Sequence, residues 1–167
     1  MNNTIVLRPW QKEDAGQLAS LANNYNIWLN VRDRFPHPYT IRDALDWFAY
    51  NREFTPARTL AIMYNGSIAG SVGVLVKEDV YRKSIEVGYF IGEQYWGRGI
   101  ATRAMALLLD YIRSNFSVVR VYAKVFEHNA ASMKVLEKNG FHLESVRYKS
   151  VFKNNVLLND QVWVKFI

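Results

Sequence analysis

The stretch Ser84-Ile85-Glu86-Val87-Gly88-Tyr89-Phe90-Ile91, followed closely by Gln94-Tyr95-Trp96-Gly97-Arg98-Gly99-Ile100-Ala101, decides how this chain is to be read. A strand-like run reaches a glycine-rich turn, and a long amphipathic pattern then continues to Asn115. Glycine lets a backbone bend sharply and approach a ligand without Cβ interference, and the first turn of a helix carries N–H groups that lack intrahelical partners. Those donors, with the positive end of the helix dipole, suit a phosphate. A lone Gly-x-Gly is weak, because any strand-to-helix turn favours glycine. The flanking sequence has to carry the reading.

Downstream, Ile100, Ala101, Ala104, Leu107, Leu108, Tyr111 and Ile112 fall at helical spacing, with Thr102, Arg103, Asp110 and Arg113 on the other side. Val118 to Val125 is rich in β-branched and aromatic residues and reads as a buried strand, parallel to Ser84–Ile91 because a helix joins them. Asn129 is placed to cap a helix from Ala130 to about Lys138, stopped by Asn139-Gly140. Phe141 to Phe152 and Leu157 to Phe166 read as two closing strands around Lys153-Asn154-Asn155.

Upstream, Asn65-Gly66 between two apolar runs, Leu60–Tyr64 and Ser67–Val76, is a strong hairpin signal, since that pair supplies the positive φ angles of a type I′ turn. Glu78 to Lys83 is polar and reads as the next turn. Thr4 to Arg8 reads as a first strand, and Glu13-Asp14 opens a helix that Asn23-Asn24 stops. Thr40 with Asp43 resembles an N-cap for a helix to about Arg52. The segment from Tyr25 to Tyr39, with two prolines and several arginines and aromatics, reads as an ordered loop: either it lines a site or Phe35 and Tyr39 merely pack down.

The sequence has 167 residues, half of them hydrophobic, which is enough for one domain with a real core and no linker or repeat. It has no cysteine, and His37, His128 and His142 lack metal-site spacing, so no metal is expected. Neither a leader-like segment nor an apolar run near the roughly 20 residues of a membrane span is visible, so the expected setting is cytoplasmic, without a membrane partner. A net charge of +6 is spread along the chain without a basic stripe, which argues against nucleic acid and fits a polyanionic small ligand equally well. The nucleotide motifs fit poorly, for a P-loop lysine is missing and Thr102 stands where a dinucleotide fingerprint needs a small residue.

The order β-α-α-β-β-β-α-β-α-β-β and the run Gln94-x-x-Gly97-x-Gly99-Ile100-Ala101 resemble the GNAT superfamily of acyl-CoA-dependent N-acyltransferases. Asn129-Ala-Ala-Ser132 and Lys138-Asn-Gly140-Phe141 extend the resemblance over nearly the whole chain, and Glu86-Val-Gly-Tyr-Phe-Ile91 makes it most similar to the RimJ/RimL-like branch. The fold implied is one α/β domain spanning residues 1–167, with a GNAT-like mixed, mostly antiparallel sheet of about seven strands, four helices and splayed central strands.

The activity implied is transfer of an acetyl group from acetyl-CoA to a primary amine, a protein N-terminus or a small molecule. The alternative is a non-catalytic CoA-binding or interaction module, and homodimerisation is compatible with either. In the family reading, N–H groups of Gly97, Arg98, Gly99, Ile100, Ala101 and Thr102 hold the pyrophosphate, the Arg98 and Arg103 side chains are available to the ADP phosphates, and Gln94 orients the loop. Tyr89, Phe90 and Ile91 bind the pantetheine arm, with Asn129 and Ser132 near the thioester. Arg32, Arg34, Phe35, His37 and Tyr39 belong to the loop that leans over the acceptor.

Glu86 is the candidate general base: a carboxylate buried without a cation has a raised pKa, whereas one paired with a neighbouring Arg or Lys is structural. Many relatives carry a tyrosine acid seven residues after the asparagine. Here that residue is Leu136, and the resemblance to the RimJ/RimL-like branch implies Ser132, on the first turn of the same helix, as the candidate acid near the thiol.

Overall fold

The computed structural model describes residues 4–167. Seven strands form one sheet: β1 (Ile5–Arg8), β2 (Thr59–Tyr64), β3 (Ser67–Val76), β4 (Ser84–Ile91), β5 (Arg120–Phe126), β6 (His142–Lys153) and β7 (Val156–Phe166), in the spatial order β1-β2-β3-β4-β5-β7-β6. All neighbours are antiparallel except β4 and β5, which run parallel because a helix connects them. Both hairpin turns use asparagine where the backbone must be left-handed, with φ of 49° and 85° at Asn65-Gly66 and of 50° and 59° at Asn154-Asn155.

The helices are α1 (Ala15–Ala22), α2 (Tyr25–Trp28), α3 (Ile41–Asn51), α4 (Ile100–Asn115) and α5 (Ala130–Lys138). The single turn α2 is absent from the sequence reading, which had a loop there. Asn24 caps it by accepting a hydrogen bond from the Ile27 N–H, and four residues are too few for a helical period to be visible. Thr40 and Asp43 form the reciprocal capping box that opens α3.

Two helical layers sandwich the sheet. On one face, Ile100, Ala104, Met105, Leu108 and Ile112 of α4 pack with Leu136 of α5 against Ile85, Val87, Ile91, Val121 and Val125. On the other, Leu18, Ala19 and Ala22 of α1 pack with Ala44 of α3, Tyr39, Phe35 and Phe90. Strand alternation therefore sends Ile91 and Phe90 into opposite cores.

One strand differs from its sequence reading. The expectation of a buried strand holds for one face of β5: Val121, Ala123 and Val125 are buried under the helices, whereas Arg120 and Tyr122 face the other way half-buried and Lys124 is exposed. The α1 and α3 cluster reaches the sheet at Phe90 of β4. Beyond it β5 leaves this face partly open at Arg120, Tyr122 and Lys124, although Asp160, Val162 and Val164 of β7 are buried on the same face. That open face is where the polar part of the site lies.

Candidate active site

Strands β4 and β5 pair at only three positions, Ser84 with Arg120, Ile85 with Val121 and Glu86 with Tyr122. Beyond Glu86 the strands diverge, since β5 keeps its antiparallel pairing to β7 as far as Phe126 while β4 stays with β3 as far as Ile91. Among the described residues, positions 87–91 of β4 have no strand partner on the β5 side. The splay forms a cleft through the sheet, flanked by β4 backbone that has no strand ladder on that side.

At the end of β4 a 3-10 turn over Glu93–Tyr95 carries Gln94 into an exposed loop. Trp96 fastens that loop, its indole N–H donating to the Ile91 carbonyl at 2.8 Å. The loop closes on Gly99, which is left-handed at φ 73° and caps α4 without any side-chain hydrogen bond. A Cβ at Gly97 or Gly99 would meet no atom within 4 Å, so the glycines keep this approach open, not a packed contact. The leading N–H groups of a four-turn helix are thus presented bare beside the cleft, with Arg98 exposed in the loop before them, its guanidinium 5.9 Å from the Tyr95 ring centroid. Such a cradle fits the diphosphate of a nucleotide carrier.

Helix α5 supplies the opposite wall. Asn129 is its N-cap, its side-chain oxygen accepting from the Ser132 N–H at 3.1 Å. Ser132 then meets Tyr89 across the cleft at 2.8 Å between hydroxyl oxygens, and either can donate. Burial pushes the Tyr89 phenol above its ordinary pKa, with the Ser132 hydrogen bond acting in the other sense, so the phenol stays protonated at neutral pH. Leu136 is fully buried in the core, consistent with its place in the sequence. The Asn139 side chain donates to the Thr102 carbonyl at 3.2 Å and to Val135 at 2.8 Å, tying the end of α5 to the first turn of α4. The two walls are fixed relative to one another.

Glu86 lies where the splay begins, 6% exposed, with its side chain on the open face. It is not buried without a cation. Lys77 donates to one carboxylate oxygen at 3.0 Å, Tyr122 donates to the same oxygen at 3.2 Å, Arg32 holds the other, and Lys124 stands 3.9 Å away. Burial by itself raises the carboxyl, but Lys77, Arg32 and Lys124 together outweigh it and hold the pKa below the ordinary value. The paired alternative is the arrangement found, and the raised pKa expected of an unpaired Glu86 is not.

The loop after α2 divides its residues between two tasks. Phe35 and Tyr39 pack down: their ring centroids are 4.9 Å apart, Phe35 meets Phe90 edge-on at 5.3 Å, and burial pushes the Tyr39 phenol up to about 12. His37 lies against Tyr25 and Trp28, away from Glu86. Arg34 is exposed, and only Arg32 reaches the carboxylate. Lys77, Tyr122, Lys124, Arg147 and Asp160 belong to the same charged face and were missed by the sequence reading. The signal for part of that set was present: Arg120, Tyr122 and Lys124 alternate with apolar residues at the period of a half-covered strand.

Among the described residues there is no cluster of groups able to hold a metal ion, and no helix is long and apolar enough to cross a membrane. Comparison with known proteins agrees with the geometry. The probable N-acetyltransferase YjcK of Bacillus subtilis is 41% identical over 76 residues, a match covering 46% of this chain and 42% of YjcK. The spermidine N(1)-acetyltransferase of Escherichia coli is 27% identical over 161 residues, covering 94% of this chain and 83% of that protein. The structure of RimL, a ribosomal L7/L12 α-N-protein acetyltransferase in complex with coenzyme A, superimposes with a TM-score of 0.87 at 20% identity over 98% of this chain and 94% of its own. Residues 4–142 match the acetyltransferase (GNAT) domain, and the chain belongs to that family.

Proposed function

We propose that the protein transfers an acetyl group from acetyl-CoA to a primary amine, a small-molecule amine or a protein N-terminus, by direct attack with both substrates bound. The observation that carries this reading is the coincidence of the β4–β5 splay with the uncapped start of α4. Acetyl-CoA supplies an activated thioester. The N–H groups of residues 97–102, with Arg98 and Arg103, hold its phosphates; Gln94 orients that loop; Tyr89, Phe90 and Ile91 offer a free strand edge to the pantetheine arm; and Asn129 and Ser132 stand at its sulfur end.

Holding the amine beside the thioester on a rigid frame provides much of the acceleration. The amine nitrogen attacks the carbonyl carbon, the carbon–sulfur bond breaks, and the proton shed by nitrogen leaves through water to Glu86. Because the cations hold Glu86 ionised, it is a ready but weak proton acceptor. A backbone N–H near Phe90 or Ile91 meets the oxyanion. Ser132, with the protonated Tyr89 hydroxyl behind it, donates to the departing sulfur. A cytoplasmic setting and the absence of a nucleic-acid partner are part of the same proposal, the latter supported by the scattered charge.

One observation favours a second reading, a CoA-binding module without turnover: Glu86 is already held by three cations. Titration with acetyl-CoA in a calorimeter, together with a thiol-release assay over a panel of amines and peptides, separates the two. Saturable binding with amine-dependent thiol release, slowed in Glu86→Gln, supports the enzyme. Binding with hydrolysis alone and an unaffected Glu86→Gln protein supports the module, and absence of binding rejects both.

A further inference from the structure

The charged face beyond Glu86 has its two signs sorted by depth. The carboxylates lie underneath, with side-chain exposures of 7% for Glu86 and 2% for Asp160. Above them are Lys77, Lys124, Arg147 and Arg32, whose side chains are 24%, 31%, 43% and 56% exposed. The two clusters are one field: Lys124 acts electrostatically on Asp160 as well as Glu86, and Arg147 is influenced by Glu86 and Tyr122. Four cations over two carboxylates leave a surplus of two positive charges, all of it on the solvent side.

Neutralising the buried carboxylates does not require that surplus. Lys77 holds Glu86 at 3.0 Å with Tyr122 as a second donor, and Arg147 forks onto Asp160 with Ser150 beside it. Lys124 is additional, and so in charge is Arg32, although it holds the second Glu86 oxygen with one of its five N–H groups. Arg32 is also held in place at some cost in freedom, for the next residue, Asp33, is gripped by the buried Lys153 at 2.6 Å, and Lys153 sits 3.7 Å over the Trp28 ring. An arginine on a loop pinned beside it is pre-organised for a ligand. A cationic acceptor such as a polyamine approaching this face meets like charge.

Resting on the acetyltransferase reading above, we infer that the acceptor is an amine carrying a carboxylate or phosphate, and that Arg32 and Lys124 over Glu86 are its anion subsite. Glu86 and Tyr89 are three residue steps apart on β4, about 10 Å at strand rise. The anion therefore lies within about three residue-lengths of the reacting centre, as in a peptide N-terminus with an acidic second or third residue.

The test uses the full chain, which is first shown to bind acetyl-CoA by calorimetry; failure there removes the acetyltransferase reading itself. Peptides beginning Ala-Glu, Ala-Gln, Ala-Lys and Ala-phosphoserine, otherwise identical and neutral, are then compared as acceptors and as ligands of the CoA-saturated protein. The Glu peptide is expected to exceed the Gln peptide roughly tenfold in kcat/KM or affinity, and the Lys peptide by more. High salt narrows the gap, and Arg32→Gln and Lys124→Gln each shrink it, while Arg42→Gln on the exposed side of α3 does not. A phosphoserine peptide that surpasses the Glu peptide identifies phosphate as the anion. Equal or better use of the Gln or Lys peptide, a gap that survives both substitutions, or no binding of any peptide at millimolar concentration overturns the inference while leaving acetyl-CoA binding intact.

Discussion

The two halves of the cleft are built from different materials. The half proposed for the acyl donor is made of backbone: a strand edge from which β5 has departed, and the bare N–H groups of α4 behind Gly97 and Gly99. The half proposed for the acceptor is made of side chains drawn from five places, Arg32 from a loop, Lys77 just past β3, Glu86 from β4, Lys124 from β5 and Arg147 from β6. Backbone sites tolerate almost any side chain but not a change of conformation. Side-chain sites are the reverse, so the first suits a ligand that never varies and the second a ligand that does.

The largest effect is expected where a side chain is forced onto the backbone half. Gly99→Glu puts a carboxylate at the phosphate cradle and should weaken acetyl-CoA binding by about a thousandfold, read by calorimetry. Since an added Cβ meets no neighbour, the fold should lose only the roughly 1–2 kcal/mol of a left-handed non-glycine residue. A protein that binds normally breaks the comparison.

On the side-chain half the effect moves from binding to stability. Asp160→Ala removes the buried acceptor of Arg147 and Ser150, but the Arg147 side chain is 43% exposed and regains water, so the loss should be only about 1.5 kcal/mol in urea unfolding. Acetyl-CoA affinity should remain within a few-fold of the wild type.

Where the halves meet, Ser132→Ala and Tyr89→Phe should each lower kcat roughly tenfold with KM for acetyl-CoA little changed, and the double substitution should do scarcely more than either, because the two hydroxyls act as one unit. Additive losses would divide them into separate roles.

The smallest effect is a pH dependence. Glu86 and Asp160 both have folded-state pKa values below their unfolded ones. Their contribution to stability is therefore fully present above the unfolded values near 4, and is lost as pH falls through that region toward the folded values. Glu86→Gln should flatten this acid limb, followed by tryptophan fluorescence, and leave stability between pH 6 and 8 independent of pH.

The same division explains what could be read from the sequence. Gly97, Gly99 and Asn129 declare their roles locally, because a left-handed turn and a helix cap are decided within a few residues. The hairpins at Asn65-Gly66 and Asn154-Asn155 were legible for the same reason. Lys77, Lys124 and Arg147 were not, since an isolated lysine or arginine in a strand looks like any solvated charge until the sheet order sets β5 between β4 and β7. Glu86 shows the limit most clearly. Its burial followed from its place in an apolar strand, but its protonation depends first on Lys77 across the β3–β4 connection, and then on Lys124 and on Arg32, which is 54 residues away in sequence. Sequence spacing contained no information about that partner.

The splay of β4 from β5 has one more consequence. An unpaired strand edge normally lies at the rim of a sheet, where it can recruit the strand of another molecule and begin an aggregate. Here the free edge of residues 87–91 is in the interior of a seven-stranded sheet, with β5 diverging on one side and α5 reaching across to Tyr89. A thin, extended chain can enter that slot, whereas a strand with neighbours of its own is too broad. The protein gains an adhesive surface that discriminates by cross-section, without the self-association that such a surface brings when it is exposed.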